Sequence, residues 1–441
     1  MKAHLISLMV FLIGACWLVV ATKAAVQAGP IIWAPPDLAE LIEEALSENK
    51  ELQSLEAKVE SLKEEISFAG SLDDPRLGIG LINLPTDSFS FDQEAMTQKK
   101  IFIAQKVPWF GKLSLKEQSQ ALIAGSEQAV LEARRLELAR KIATTYYELG
   151  FIETSFEINR RLTEMVSQII KVAETRYASG SGLQQDVLRA QVELSKLLDE
   201  KIILRKKRRV LEDRINELLN RESFIQVAPP KNLSDPKLRL DVEALKARSL
   251  RKNPWLRVRQ FKVDRAAVEI NLARKDYWPD MDFIVAYGQR DEDFTARDLP
   301  DLFSASVVVN IPLWQKNRQD KNLEAKRKNY QAAAKSYENL AKSLPYRIDA
   351  LATDIRDTQE SYRLFSDALM IQAEQLARSA LSAYVVNKVE FNTMINAQMR
   401  LLRFELKSKQ YLFNIYQKRA ELEEVLGGPL ATLTPAEEEA P

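Results

Sequence analysis

Phe303-Ser304-Ala305-Ser306-Val307-Val308-Val309-Asn310-Ile311-Pro312 decides how this chain folds. Side chains alternate across an extended strand, so Phe303, Ala305, Val307, Val309 and Ile311 share one face while Ser304, Ser306 and Asn310 take the other. Met281–Tyr287 reads the same way, with Met281, Phe283, Val285 and Tyr287 together, and the two form a hairpin over 281–311. At Pro312 the period changes from two to about 3.6. A helix is predicted from there to about Tyr384, with the seam Ile348, Leu351, Ile355, Thr358, Tyr362, Phe365 and Leu369. Pro345 lies inside it and is expected to kink it.

The same order of elements stands about two hundred residues earlier. Asn49, Pro75 and Val107-Pro108 recur as Asn253, Pro279 and Ile311-Pro312, each 204 positions on. Tyr177, Ala190-Gln191 and Asn220 recur as Tyr384, Ala397-Gln398 and Gly427, 207 positions on. The first copy spans 29–228: a helix from about Asp37 (N-cap) to Leu72, a hairpin over 76–107, a long helix over 108–177 and a return helix over 183–220. The second spans 237–428, with its hairpin at 281–311, long helix at 312–384 and return helix at 389–426. A Pro-rich linker, 229–236, joins them, and 429–441 reads as a disordered tail. The seam of the first long helix is Leu138, Ile142, Thr145, Leu149, Ile152 and Phe156. Seventy helical residues reach about 100 Å, well beyond a small domain.

Alternating strands of this length suit a transmembrane β-barrel, although a half-buried hairpin in a soluble sheet reads the same way. Four strands cannot close a barrel, which needs about eight to fill its interior. Membrane-embedded hairpins would therefore have to come from several copies, and helices this long also need lateral partners. The expected fold is a mixed α/β membrane protein: a long α-helical coiled-coil barrel plus a shared β-barrel with four strands per chain.

Composition removes most alternatives. Charged residues make up 28% of the 441 and nearly cancel, at net +1, so no global field points to nucleic acid. Residues 1–28 read as a secretory signal, with cleavage before Gly29 preferred; Ile13-Gly14-Ala15-Cys16 also resembles a lipoprotein box, which would place a lipid on Cys16. The single His and single Cys, His4 and Cys16, both lie there. The remainder has no histidine, so His-dependent triads and HExxH zinc chemistry are absent, and no enzyme, cofactor or metal site is expected.

Val107-Pro108-Trp109-Phe110-Gly111-Lys112 at the head of the long helix, and Arg176-Tyr177, Gly180 and Asp186-Val187-Leu188-Arg189-Ala190-Gln191 at its far turn, resemble the TolC family of outer-membrane efflux proteins. The resemblance covers both halves. It implies a homotrimer with a twelve-stranded barrel in outer-membrane lipid and a helical tunnel across the periplasm, docked on a periplasmic adaptor (membrane fusion protein) and an inner-membrane RND-type pump. Asn83-Leu84-Pro85-Thr86-Asp87-Ser88-Phe89-Ser90-Phe91-Asp92-Gln93 is similar to a loop of members serving cobalt-zinc-cadmium and copper-silver pumps, which implies heavy-metal efflux. The same channel for drug efflux or type I protein secretion, and a soluble periplasmic coiled-coil scaffold, are the alternatives.

The resemblance also points to an aperture. Where the family's prototype carries paired aspartates, this chain has Thr393 and Asn396, so an acidic double ring is not expected. Asp186 occupies the first-repeat position matching Thr393 and could supply a single carboxylate ring that favours cations, or simply complement a helix N-terminus. Tyr177, Gly180, Gly182 and Tyr384 mark the turns. Arg205-Lys206-Lys207-Arg208-Arg209 reads as a salt-bridged helix face through Arg208–Glu212 and Arg209–Asp213. Acidic residues in the 290–301 loop read as exposed, and Met394 and Met399 as packing.

Overall fold

The computed structural model describes residues 31–230, 233–293, 295, 297–386 and 388–430. Residues 1–30, on which the expected signal segment and Cys16 fall, Asn387 and the residues from 431 lie outside them. The first helical stretch is two helices, α1 (Pro36–Glu48) and α2 (Lys50–Gly70). The single helix expected from Asp37 to Leu72 breaks at Asn49, whose backbone is extended and whose side chain accepts the Leu52 N–H. Asp37 is not the cap: Pro35 holds that position and Pro36, which needs no N–H partner, starts the helix.

Strands β1 (Arg76–Ile82) and β2 (Gln98–Val107) follow, then α3 (Lys112–Ala178) and α4 (Gln184–Leu218). After the linker come α5 (Val242–Lys252), α6 (Pro254–Lys275), β3 (Met281–Gln289) and β4 (Leu302–Val309). A short 3₁₀ turn leads into α7 (Gln319–Arg363), a π-helical segment Leu364–Leu369, α8 (Met370–Val385) and α9 (Phe391–Leu426). Both long helices start later than the prolines at 108 and 312, because each proline opens a turn first. In the second helix the irregularity does not fall at Pro345. α7 runs on through that residue, with neighbours Leu344 and Ile348 buried, and widens into the π segment further along. Packing on both sides of the proline compensates for its one missing hydrogen bond; a π turn takes in the surplus chain.

Of the first seam, Leu138, Ile142, Thr145, Leu149 and Ile152 are buried and Phe156 packs half-buried beside them. In the second, Ile348, Leu351 and Ile355 are buried, while Thr358, Tyr362, Phe365 and Leu369 are half-covered. α4 packs on α3, α3 on α9, and α9 on α7 and α8; nearer the sheet the row is α2, α3, α6, α7. The long helices thus lie side by side as a wall, with α1 packed on α3 and α5 on α7 and α9.

Two polar devices hold the wall together at mid-height. Asn49 caps α2 and donates to the Leu218 carbonyl at the end of α4 (3.4 Å); Asn253 caps α6 and donates to the Val425 carbonyl at the end of α9 (2.9 Å). One asparagine thus ties a helix start to a helix end in each half. The second device is Glu423, which is fully buried. It accepts from Arg419, from the Trp33 N–H near one end of the described chain (2.9 Å) and from the Leu430 N–H at the other (2.9 Å). The Arg419 guanidinium lies 4.1 Å from the Trp33 ring, and Trp33 stacks on Tyr416. Burial pushes the Glu423 carboxyl up, against the pull of Arg419 and the two N–H donors.

Asn253→Ala removes a helix cap and leaves the Val425 carbonyl buried without its donor. The expected loss is about 2 kcal/mol, read as a lower denaturation midpoint. Asn253→Asp keeps the cap but not the donor and should fall between.

Candidate functional site

The four strands form one antiparallel sheet in the order β1-β2-β3-β4. Residues paired across neighbouring strands share a face. Leu77↔Ile103, Ile79↔Ile101, Ile101↔Tyr287, Ile103↔Val285, Phe283↔Val307 and Tyr287↔Phe303 put a continuous apolar surface on one side. It is uncovered: Ile79 is 82% exposed, Phe303 73% and Val307 56%. The opposite face carries Gly78, Gly80, Lys100, Asp282, Gly288, Ser304 and Ser306. Ile82, Phe102, Ile284, Leu302 and Val308 also lie on this face, and Phe102 lies over Gly78, where a Cβ would come within 2.3 Å of the ring. Among the described residues the outer edges of β1 and β4 have no strand partner. A sheet with an exposed apolar face and two open edges is incomplete in water.

A compact junction fastens the sheet to the helices. Val107-Pro108-Trp109-Phe110-Gly111-Lys112 leaves β2, turns through Gly111 in the left-handed region (φ +83°), and starts α3. The Lys112 ammonium, almost fully buried, meets Asp280 at 2.9 Å and Asp276 at 3.3 Å. Asp280 also accepts the Trp109 N–H at 2.8 Å. Asp280 immediately precedes β3, so this one carboxylate joins the hairpins of both halves. Burial pushes its carboxyl up, but the Trp109 N–H and the Lys112 cation outweigh that and hold it below its ordinary 3.8. Trp109 stacks on Trp278 at 5.0 Å, while Phe110 and Trp314 project into solvent.

At the far end the turns after α3 and α8 meet. Arg176 donates to the Tyr384 carbonyl (3.0 Å) and the Ser181 carbonyl (3.3 Å), with its guanidinium 4.5 Å from the Tyr384 ring. Tyr384 is buried and edge-on to Phe391 at 5.9 Å. Gly180 takes φ +70°, and a Cβ at Gly182 would press on Arg176. Tyr177 stays half-exposed. Asp186 sits in the first turn of α4, close enough to Tyr384 to reinforce the upward push that burial gives its hydroxyl. Thr393 and Asn396 are exposed on α9, and no hydrogen bond among the described residues joins either to Asp186. Asn396 instead shares a groove with Arg189 and Glu193 of α4. Arg176 stands in the sequence only as part of the Arg176-Tyr177 motif; its tie to the Tyr384 carbonyl, 208 positions away, has no local signal.

Other features resolve into structure. Met394 and Met399 are buried in one apolar cluster with Ile169 and Phe391. In the 290–301 loop, Asp293 accepts from Thr295 and Arg297, and Asp301 from Arg290 and Tyr287. Arg208 pairs with Glu212 and Glu153. The expected Arg209–Asp213 pair does not form, because Asp213 accepts the Phe224 N–H at 3.0 Å where the chain leaves α4. Among the described residues no three His, Cys, Asp or Glu side chains converge to hold a metal ion, and no helix is long and apolar enough to cross a membrane.

Residues 41–221 match the family model "Outer membrane efflux protein". No curated protein sequence matches the chain. Among solved structures, the outer-membrane channel OprN superposes with a TM-score of 0.76 at 17% identity, over 89% of this chain and 90% of that one. CusC, described in terms of folding and transmembrane channel formation, gives 0.75 at 15% identity, over 90% and 93%. The outer membrane protein VceC from Vibrio cholerae gives 0.75 at 18%, over 89% and 96%. At these identities the likeness establishes the fold.

The Asp280 junction has a pH signature. Its folded-state value is depressed, so its contribution is complete above the unfolded value near 3.8 and is lost as pH falls through the depressed value. Asp280→Asn should cost about 2 kcal/mol at neutral pH, read as a lower melting temperature, and should flatten the loss of stability below pH 4.

Proposed function

We propose that the chain is a TolC-family outer-membrane efflux protein and the exit duct of a tripartite export system, a passive channel and not an enzyme. The observation that carries this reading is the sheet. Its apolar face suits lipid, and its open edges cannot remain unpaired in a bilayer. Its other face, which holds the glycines, serines, Lys100 and Asp282 among several apolar side chains, suits a lumen better than lipid. Three copies would join edge to edge into a barrel of twelve strands, three times the four of one sheet. Phe110, Trp278 and Trp314, exposed where sheet meets helices, suit the aromatic girdle at a membrane interface. α3 spans 67 residues, about 100 Å at 1.5 Å per residue, enough to reach across a periplasmic gap.

In this reading residues 29–228 and 237–428 are two copies of one stave, and the turns near Tyr177 and Tyr384 form the aperture that faces a periplasmic adaptor and an inner-membrane pump. Asp186 would place one carboxylate per copy near the pore axis, a ring that attracts cations. With the loop at 83–93, this favours a heavy-metal pump as the source of cargo. Drug efflux and type I secretion through the same duct are the competing assignments.

Cell fractionation tests the duct itself: the protein should need detergent to leave the outer-membrane fraction, and recovery from the soluble periplasm would leave the scaffold reading. Deleting the gene, in a strain with no redundant channel, should raise sensitivity to zinc, cobalt, cadmium, copper or silver; unchanged metal tolerance would move the cargo to another class. In planar bilayers Asp186→Asn should lower cation preference severalfold, whereas an unchanged preference would reduce Asp186 to a helix-dipole partner.

A further inference from the structure

The cations that α4 leaves unpaired point to a specific contact between copies. Of Arg205–Arg209 only Arg208 meets a carboxylate among the described residues; Lys206 and Arg209 are exposed and have no ion-pair partner among them. Next to them stands Ile202, 62% exposed. α4 is one free edge of the helical wall and α7–α8 the other, since α4 packs on α3 while α7 and α8 pack on α9. On that second edge Asp357 and Glu360 are exposed without an ion-pair partner among the described residues, and next to them stands Leu364, 54% exposed.

The two edges match in height as well as in charge. Arg208 meets Glu153 (3.2 Å) and Asn159 meets the Leu197 carbonyl (3.1 Å), which places α4 197–208 beside α3 153–159. Arg161 meets Glu405, and Phe151 meets Phe413 ring to ring at 6.2 Å, which brings α9 405–413 to that level. Phe365 packs on Phe404 and Tyr411 (5.5 and 5.4 Å), which brings the π segment there too. From this level towards mid-wall, α4 rises in number from Ile202 to Arg209, whereas α7 falls from Leu364 to Asp357. The order is apolar then basic on one edge, and apolar then acidic on the other.

We propose that these edges bind each other between copies: Ile202 of one copy lies against Leu364 of the next, and Lys206 and Arg209 pair with Asp357 and Glu360. The inference rests on the oligomeric duct proposed above. A rotation about an axis along the tube preserves height, so only edges that match level by level close a ring of this head-to-tail kind. Exposed ion pairs add little affinity, but they exclude wrong registers. The π segment begins at this contact, where Leu364 continues the α7 face of Asp357 and Glu360. Isolated apolar residues beside the basic run, and the absence of interleaved aromatics, fit a protein edge better than nucleic acid.

Cys16 is the only native cysteine, so engineered pairs report cleanly. Oxidised outer membranes carrying Ile202→Cys with Leu364→Cys should give disulfide-linked dimers and trimers on non-reducing gels. Neither single variant should, nor should Ile202→Cys with Tyr346→Cys, which lies nearer the sheet. Adding Lys206→Glu and Arg209→Glu should cut the yield at least fivefold, and adding Asp357→Lys and Glu360→Lys to those should restore it. No ladder from the Ile202–Leu364 pair, while a lysine-reactive linker still traps trimers, overturns this register and leaves the duct standing. Monomers under both reagents overturn the two readings together. Cross-linking indifferent to the charge reversals overturns the ionic pairing.

Discussion

The open edges of a four-stranded sheet are the constraint on which this structure turns. β1 and β4 each present a row of N–H and C=O groups, and the face between them carries isoleucine, valine, phenylalanine and tyrosine into the open. Neither feature is stable alone: apolar surface seeks cover, and unpaired backbone groups seek partners. In hydrocarbon both demands are met together, the face by lipid and the edges by neighbouring strands. The same incompleteness runs down the helices, where α4 and α7–α8 end the wall with exposed apolar side chains and unspent charge.

What makes such an open object cohere is a small number of polar contacts across long stretches of chain. Lys112 and Asp280 lock both hairpins to the start of α3. Asn49 and Asn253 each fasten a helix start to the end of a return helix. Glu423 gathers the N–H groups of Trp33 and Leu430 around one carboxylate. Each contact buries a charge or an amide and satisfies it, which costs less than leaving the group dry and unpaired. They cluster at the sheet junction and at mid-wall, the latter beside the apolar cores that hold Ile215, Tyr416, Leu422 and Val425.

Much of this was legible in the chain. The alternation in Phe303–Ile311 placed an apolar face that the sheet register reproduces, and the step from period two to 3.6 at the prolines located the hairpins against the long helices. Other details followed local chemistry too fine for periodicity. The break at Asn49 is a cap inside an otherwise unbroken helical pattern. The disturbance of the second long helix falls at Leu364–Leu369 instead of Pro345, because packing around a proline can hold a helix together. Asp213 stands four residues from Arg209 yet caps Phe224, because a chain leaving a helix needs an acceptor more than a solvated arginine does.

By itself the sequence determined what depends on neighbours along the chain: strand faces, the order of hairpins and long helices, and the lack of histidine and cysteine after Cys16. Periodicity and propensity act over a few residues, so they can be read without coordinates. Only the tertiary structure decided which charges meet. Trp33 reaches Glu423 across 390 positions and Lys112 reaches Asp280 across 168, and no local pattern encodes such a pairing. It also decided what stays unmet, leaving Lys206, Arg209, Asp357 and Glu360 on the two free edges, because a carboxylate's partner is set by which helices pack and not by how the residues are spaced.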